Sequence, residues 1–197
     1  MSRSWGAANP GRLFFLFWLL FVPLTHATET THESNPETGI ESWALHDQGA
    51  ALLLTQITPD QATAFFLGRG FDRAAADHFA TACIFMMVVR NESAAAPISY
   101  RLADWRYVTS DGKEHNLKLT REWLNEWRRR KLPEPSLIAF EWSQHPAEQT
   151  FEVGDWNQGM VSFELPRGSR FDLKFRWSVK AEMKDSMLKD VRCAPGS

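Results

Sequence analysis

Between Cys83 and Val89, apolar side chains occupy both phases of an extended chain. Cys83, Phe85, Met87 and Val89 fall on one side, and Ile84, Met86 and Val88 on the other. That pattern predicts a strand covered on both faces, near the middle of a sheet. Ser93 to Pro97 break it. The clearest single-faced alternation lies in the C-terminal half. Val161, Phe163 and Leu165 alternate with Ser162 and Glu164, and Phe171, Leu173, Phe175, Trp177 and Val179 alternate with Asp172, Lys174, Arg176, Ser178 and Lys180. Period two over about ten residues predicts a strand with one face in the core and one in water. Pro166-Arg167-Gly168-Ser169 joins the two runs as a hairpin.

Shorter strands are predicted at Trp43 to His46 and Ala51 to Ile57, around the turn-like Asp47-Gln48-Gly49, although Leu52 to Leu54 could equally open a helix. Ile98 to Val108, rich in aromatic residues, reads as one strand and Ser110-Asp111-Gly112 as its turn, with Leu117 and Leu119 on one face of the return. Ser136 to Trp142 reads as a further strand, ended by a turn at His145-Pro146.

Two helices stand out among these strands. Thr58-Pro59-Asp60-Gln61 has the spacing of a capping box with proline at the first helical position, so a helix is expected from Pro59 to Gly68. Thr120 to Lys131 is expected as a second, with Trp123 and Trp127 on one face and a basic end that suits the helix dipole. Pro133 and Pro135 end it. Asp72 to Phe79 reads as a short helix or a loop. Met183, Met187, Leu188 and Val191 are spaced like a helix, with a final strand as the alternative.

The sum is a mainly β chain: an antiparallel, immunoglobulin-like β-sandwich of about seven or eight strands with short helical insertions. Residues 42–197 form the expected domain. Residues 28–41 are polar without period and are expected as a flexible leader. Residues 1–27 have the layout of a secretory signal peptide: Arg3 and Arg12, then twelve apolar residues from Leu13 to Leu24, then Thr25-His26-Ala27 before a cut. As helix that run spans about 18 Å, against roughly 30 Å for a bilayer core, so no stable span is expected after cleavage. Cleavage removes two of the 22 basic residues and none of the 24 acidic ones, leaving a formal charge of −4. A mildly acidic exported domain argues against sequence-blind nucleic-acid binding. In a periplasmic or extracellular setting, Cys83 and Cys193 are most simply a disulfide, tying the central strand to the tail.

Phe85-Met86-Met87-Val88-Val89-Arg90-Asn91-Glu92-Ser93, then Pro97-Ile98-Ser99-Tyr100, then Asp111-Gly112, resemble the telokin-like, immunoglobulin-type accessory domains of bacterial secreted proteins. The resemblance covers about a third of the expected mature chain. It implies a fold and no chemistry. The chain departs from it in placing the second cysteine at the extreme C-terminus.

No nucleophile elbow, P-loop, dinucleotide fingerprint or H-E-x-x-H is present, and no two of His32, His46, His78, His115 and His145 share helical spacing. A dispersed catalytic triad stays open as a third reading. Met183 and Met187, if helical, could offer two thioethers to Cu(I); as core methionines they would bind nothing. Trp123 and Trp127 with Arg128, Arg129 and Arg130 form an aromatic and basic surface for a protein partner if the indoles are exposed, and a plain lid if they pack on the sheet. Asp155, Trp156, Asn157 and Gln158, in a glycine-bounded loop, could stack and hydrogen-bond a sugar, or simply plug one end of the sandwich. The leading expectation is a non-enzymatic exported domain that binds or escorts a protein, needing no cofactor. A small-ligand or copper-binding protein is the alternative.

Overall fold

The computed structural model describes residues 28–196, and the expected signal segment, 1–27, lies outside the described residues. The doubly apolar run is strand β4 (Cys83–Asn91), one strand in from the edge of a five-stranded antiparallel sheet. It pairs along its length with β3 (Ala50–Ile57), from Ala50↔Asn91 to Ile57↔Ile84. On its other side it pairs with β9 (Trp156–Phe163), from Cys83↔Phe163 to Arg90↔Trp156. Beyond β3 lie β2 (Glu41–Asp47) and β1 (Glu29–Ser34). The β2–β3 turn needs glycine: Gly49 has φ +85°, and a Cβ there would lie 2.3 Å from the Ala94 nitrogen.

The second sheet is built on the hairpin of β10 (Arg170–Val179) and β11 (Glu182–Arg192). The other edge of β10 is filled by two short strands in tandem, β5 (Ile98–Arg101) and β6 (Arg106–Thr109), followed outward by β8 (Glu148–Phe151) and β7 (Glu114–Asn116). A single strand was expected over 98–108; a turn of 3-10 helix at Leu102–Asp104 divides it. The break lets Trp105 enter the core fully buried, where its Nε1 donates to the Arg176 carbonyl at 2.9 Å. Phe171, Leu173, Phe175 and Trp177 point inward as their alternation requires. One core cluster contains the inward residues of both sheets, Leu52, Phe85, Met87, Phe163, Phe171 and Phe175 among them, so the sheets pack face to face. Cys83 and Cys193 are bonded and buried, joining β4 to the chain just past β11.

A helical layer covers part of the outer face of the first sheet. Helix α1 (Pro59–Leu67) starts as its capping box dictates: Gln61 donates its N–H to Thr58 Oγ1, and Thr58 donates its N–H to Gln61 Oε1. Helix α2 (Arg73–Phe79) is capped by Asp72, which accepts the Ala75 N–H at 2.8 Å. Helices α3 (Thr120–Arg129) and α4 (Glu134–Ser143) complete the layer. Phe66, Phe79, Trp123, Trp127 and Phe140 form a second cluster with Ile84 and Met160 on the sheet.

Three further readings are decided by the structure. Ser136 to Trp142 is helical, not a strand. Pro133 caps α4 and Pro135 sits in its first turn, where a missing N–H costs nothing, and Leu137 and Phe140 share the buried face. The tail is the final strand β11, so Met183 and Met187 are not on a helix. Residues 29–34 of the expected leader are an ordered edge strand, paired from Glu29↔His46 to Ser34↔Glu41, with His32 stacked on Trp43 at 4.8 Å. All six residues of β1 are exposed, so no apolar period marks the strand.

The bridge closes a loop with a sequence separation of 110. Cys83→Ala with Cys193→Ala is expected to lower stability by about 4 kcal/mol, read as a fall in the urea midpoint. An unchanged midpoint would contradict a staple between the sheets.

Candidate functional site

The α3 indoles are inside. Trp123 is 3% exposed and Trp127 0%, stacked on each other at 5.2 Å and packed against Phe79 and Phe140. Trp123 Nε1 donates to Ser162 Oγ at 2.9 Å, and the Lys118 ammonium lies 3.7 Å from the centre of the Trp123 ring. Glu126 gathers the charges beside them, meeting His78 at 2.6 Å, Lys118 at 2.9 Å and Arg130 at 3.1 Å. Burial works against its charge, but hydrogen bonds and attraction from Lys118 and His78 outweigh it and hold the carboxyl below the usual glutamate range. Arg128 and Arg129 are exposed at the helix end. The aromatic half of the expected partner surface is therefore structural, because α3 lies over the sheet with its tryptophans beneath it.

The 154–159 segment is mostly strand. Gly154 (φ +93°) and Asp155 make the turn, with Asp155 Oδ2 accepting the Glu152 N–H at 3.0 Å. Trp156 to Gly159 belong to β9, so their side chains alternate. Trp156 and Gln158 face outward and are exposed. Asn157 turns the other way and donates to Gln149 Oε1 at 2.8 Å. The four residues thus form no single binding loop. Met183 and Met187, four residues apart in β11, stand about 13 Å from each other along the strand and cannot share one ion. Among the described residues no group of three His, Cys, Asp or Glu side chains could hold a metal.

The fold brings together a set that the sequence pattern did not mark. A cleft of about 410 Å³ opens between the start of α3, the end of α4 and β9, lined by Arg121, Glu141, Trp142, His145, Asn157 and Gln158. Trp142 is 85% exposed. The link leaving α4 lies against the edge of β9, with the His145 N–H donating to the Met160 carbonyl at 2.9 Å. Only glycine allows this approach: a Cβ on Gly159 would lie 2.4 Å from the His145 nitrogen.

His145 is 1% exposed. Its Nδ1 lies 2.8 Å from the Tyr100 hydroxyl, and its Nε2 is buried without a hydrogen-bond partner. Burial lowers its pKa to about 4, against the pull of backbone groups at Pro146 and Asn157. Burial also pushes the Tyr100 hydroxyl well above its usual range.

Beside the cleft, the outer face of the first sheet is bare. Leu53 pairs with Val88 and Val88 with Gln158; in the next row Ala51 pairs with Arg90 and Arg90 with Trp156. Leu53 and Trp156, the latter 54% exposed, lie open, so a partly apolar surface runs from Trp142 across Gln158 to Trp156. The signal for Trp142 was hidden in the misread strand 136–142, and His145 looked like a turn residue. No family model, curated protein or solved structure matches the chain.

Two outcomes are expected. Trp127→Ala should cost about 3–5 kcal/mol of stability, measured by urea unfolding, because it empties a packed site; a loss under about 1 kcal/mol would contradict the packing. The pH effect of His145 has a definite sign. The folded chain holds the ring near 4, below the ordinary 6.5, so it favours the neutral form. Stability from this source is whole above about pH 6.5 and is lost as pH falls toward 4, by about 3 kcal/mol. The stability difference between wild type and His145→Gln should shrink by that amount from pH 7 to 4. A difference independent of pH would contradict a buried neutral imidazole.

Proposed function

We propose that this protein is an exported, non-enzymatic domain that binds a protein partner through the surface from Trp142 to Trp156. One observation carries the reading: five of the seven described tryptophans (Trp43, Trp105, Trp123, Trp127 and Trp177) are buried, whereas Trp142 and Trp156 stand exposed beside the same bare half-sheet. Exposed tryptophans next to a partly apolar face are the usual anchors of a protein interface. Export is supported by the layout of residues 1–27 and by the Cys83–Cys193 bridge, which suits an oxidising compartment such as the periplasm. The likeness to telokin-like accessory domains belongs to the same proposal. Within it, Arg128 and Arg129 are a solvated helix end and not the contact surface.

A second reading, a small ligand held in the cleft, is favoured by Trp142 and Gln158, which line it together. Affinity capture from extracts of the native host separates wild type from a Trp142→Ala, Trp156→Ala double variant, whose fold should be unchanged because both side chains are exposed. A discrete protein is expected with the wild type and not with the variant. Equal recovery of the same proteins by both would remove the partner reading.

A further inference from the structure

The two sheets end out of step on one side. β11 is the last strand of the second sheet there: it pairs with β10 alone and lies against β2. Ser186 donates to Asp47 Oδ2 at 2.5 Å, and Gln56 donates its Nε2 hydrogen to the Arg192 carbonyl at 2.8 Å. The first sheet continues one strand further, to β1. The mismatch shows in exposure. Leu45 and Trp43 of β2 point toward the second sheet and are buried. Thr30 and His32 are their partners on β1 and share that face, yet both are exposed. Among the described residues, therefore, β1 overhangs a place that no strand fills. A groove of about 440 Å³ lies there, with Thr30, His32 and Trp43 on one wall and Met187, Leu188 and Lys189 of β11 on the other.

The β11 wall is an unpaired edge. From Glu182 to Leu188 the strand keeps a regular register with β10, so alternate main-chain N–H and C=O groups face away from the sheet. The run ends at a bulge, where Asp190 has φ +53° and donates its N–H to Asp172 Oδ1. Such an edge is a template for another extended chain. A second copy does not fit it. Two β11 strands joined edge to edge about a two-fold axis would bring β2 of each copy into the space that β1 of the other overhangs. The overhang admits a strand that carries no second layer of its own.

We propose that the free edge of β11 receives an extended segment of a partner protein, added as a strand beneath β1. Its main chain pairs with residues 182–188, and affinity comes from those hydrogen bonds. Every second side chain turns toward Thr30, His32 and the rim of Trp43, where an apolar residue of moderate size leaves water; the others face solvent. The segment is thus one of alternating apolar and polar residues from an unfolded stretch of the partner. The seat lies at the opposite edge of the first sheet from Trp156, so it does not rest on the surface proposed above.

The test uses heptapeptides with apolar residues at every second position, and peptides of the same composition with the apolar residues in one block, titrated by fluorescence polarisation. Alternating peptides are expected to bind, and block peptides at least tenfold more weakly. Only alternate N–H groups of an added strand face β11. N-methylation of one phase of peptide amides is therefore expected to weaken binding about tenfold or more, and of the other phase hardly at all. Thr30→Trp, which fills the groove from an exposed position, should abolish binding with unchanged melting. Trp142→Ala with Trp156→Ala should leave it intact. No binding by the alternating set, equal binding by the block set, equal loss in both methylation phases, or full binding by Thr30→Trp would overturn the inference. So would a wild-type dimer that Thr30→Trp dissolves, since the groove would then hold a second copy. If the peptides are lost with the double tryptophan variant and not with Thr30→Trp, the strand seat fails while the Trp142–Trp156 surface stands.

Discussion

β4 has apolar side chains on both faces, and each face demands its own cover. Toward the second sheet, Cys83, Phe85, Met87 and Val89 are almost wholly buried, each large side chain contributing about 1.5–3 kcal/mol by leaving water. Toward the helices, Ile84 and Met86 need a second layer, which α1 to α4 supply through Phe66, Phe79, Trp123, Trp127 and Phe140. The two hydrophobic clusters therefore meet across one strand. The disulfide leaves that same strand and fastens it to the end of β11, so the sheet-on-sheet contact is covalent at one end.

The outward residues of β4 also show where the helical cover stops. They run Ile84, Met86, Val88, Arg90, from buried through half-buried to exposed. Opposite them on β9 stand Ser162, Met160, Gln158 and Trp156. The helices sit over the first half, and the second half is left to solvent. The cleft lies at this boundary, where α4 closes just past Trp142 and the chain crosses the edge of β9 at Gly159 on its way to β8. A surface at the margin of an incomplete layer is rigid on its sheet side, which would suit recognition by preformed groups.

Much of the fold was legible because its signals are local. The alternation of Phe171 to Trp177 predicts a strand in any context, the Thr58 to Gln61 box predicts a helix start, and two cysteines behind a signal-like segment predict a bridge. The misreadings share a physical cause. Leu137-Ile138-Ala139-Phe140 is a short apolar run, and such runs fit a strand or a helix equally until length and flanking prolines decide. β1 is held by backbone bonds and by His32, which stacks on Trp43 and meets Glu41 at 3.2 Å, and all six of its residues are exposed, so its side chains carry no burial pattern. The candidate site was the least legible part. Arg121, Trp142 with His145, and Gln158 come from three separate segments, and the crossing at Gly159 brings the last two together.

The central claim is that β4 is the strand on which both layers depend, and native-state hydrogen exchange tests it most directly. The amides of Phe85 to Val89 are expected to exchange only through global unfolding, with β1 exchanging many orders of magnitude faster. Should the β4 amides exchange as readily as those of β1, the layers would not be organised around that strand.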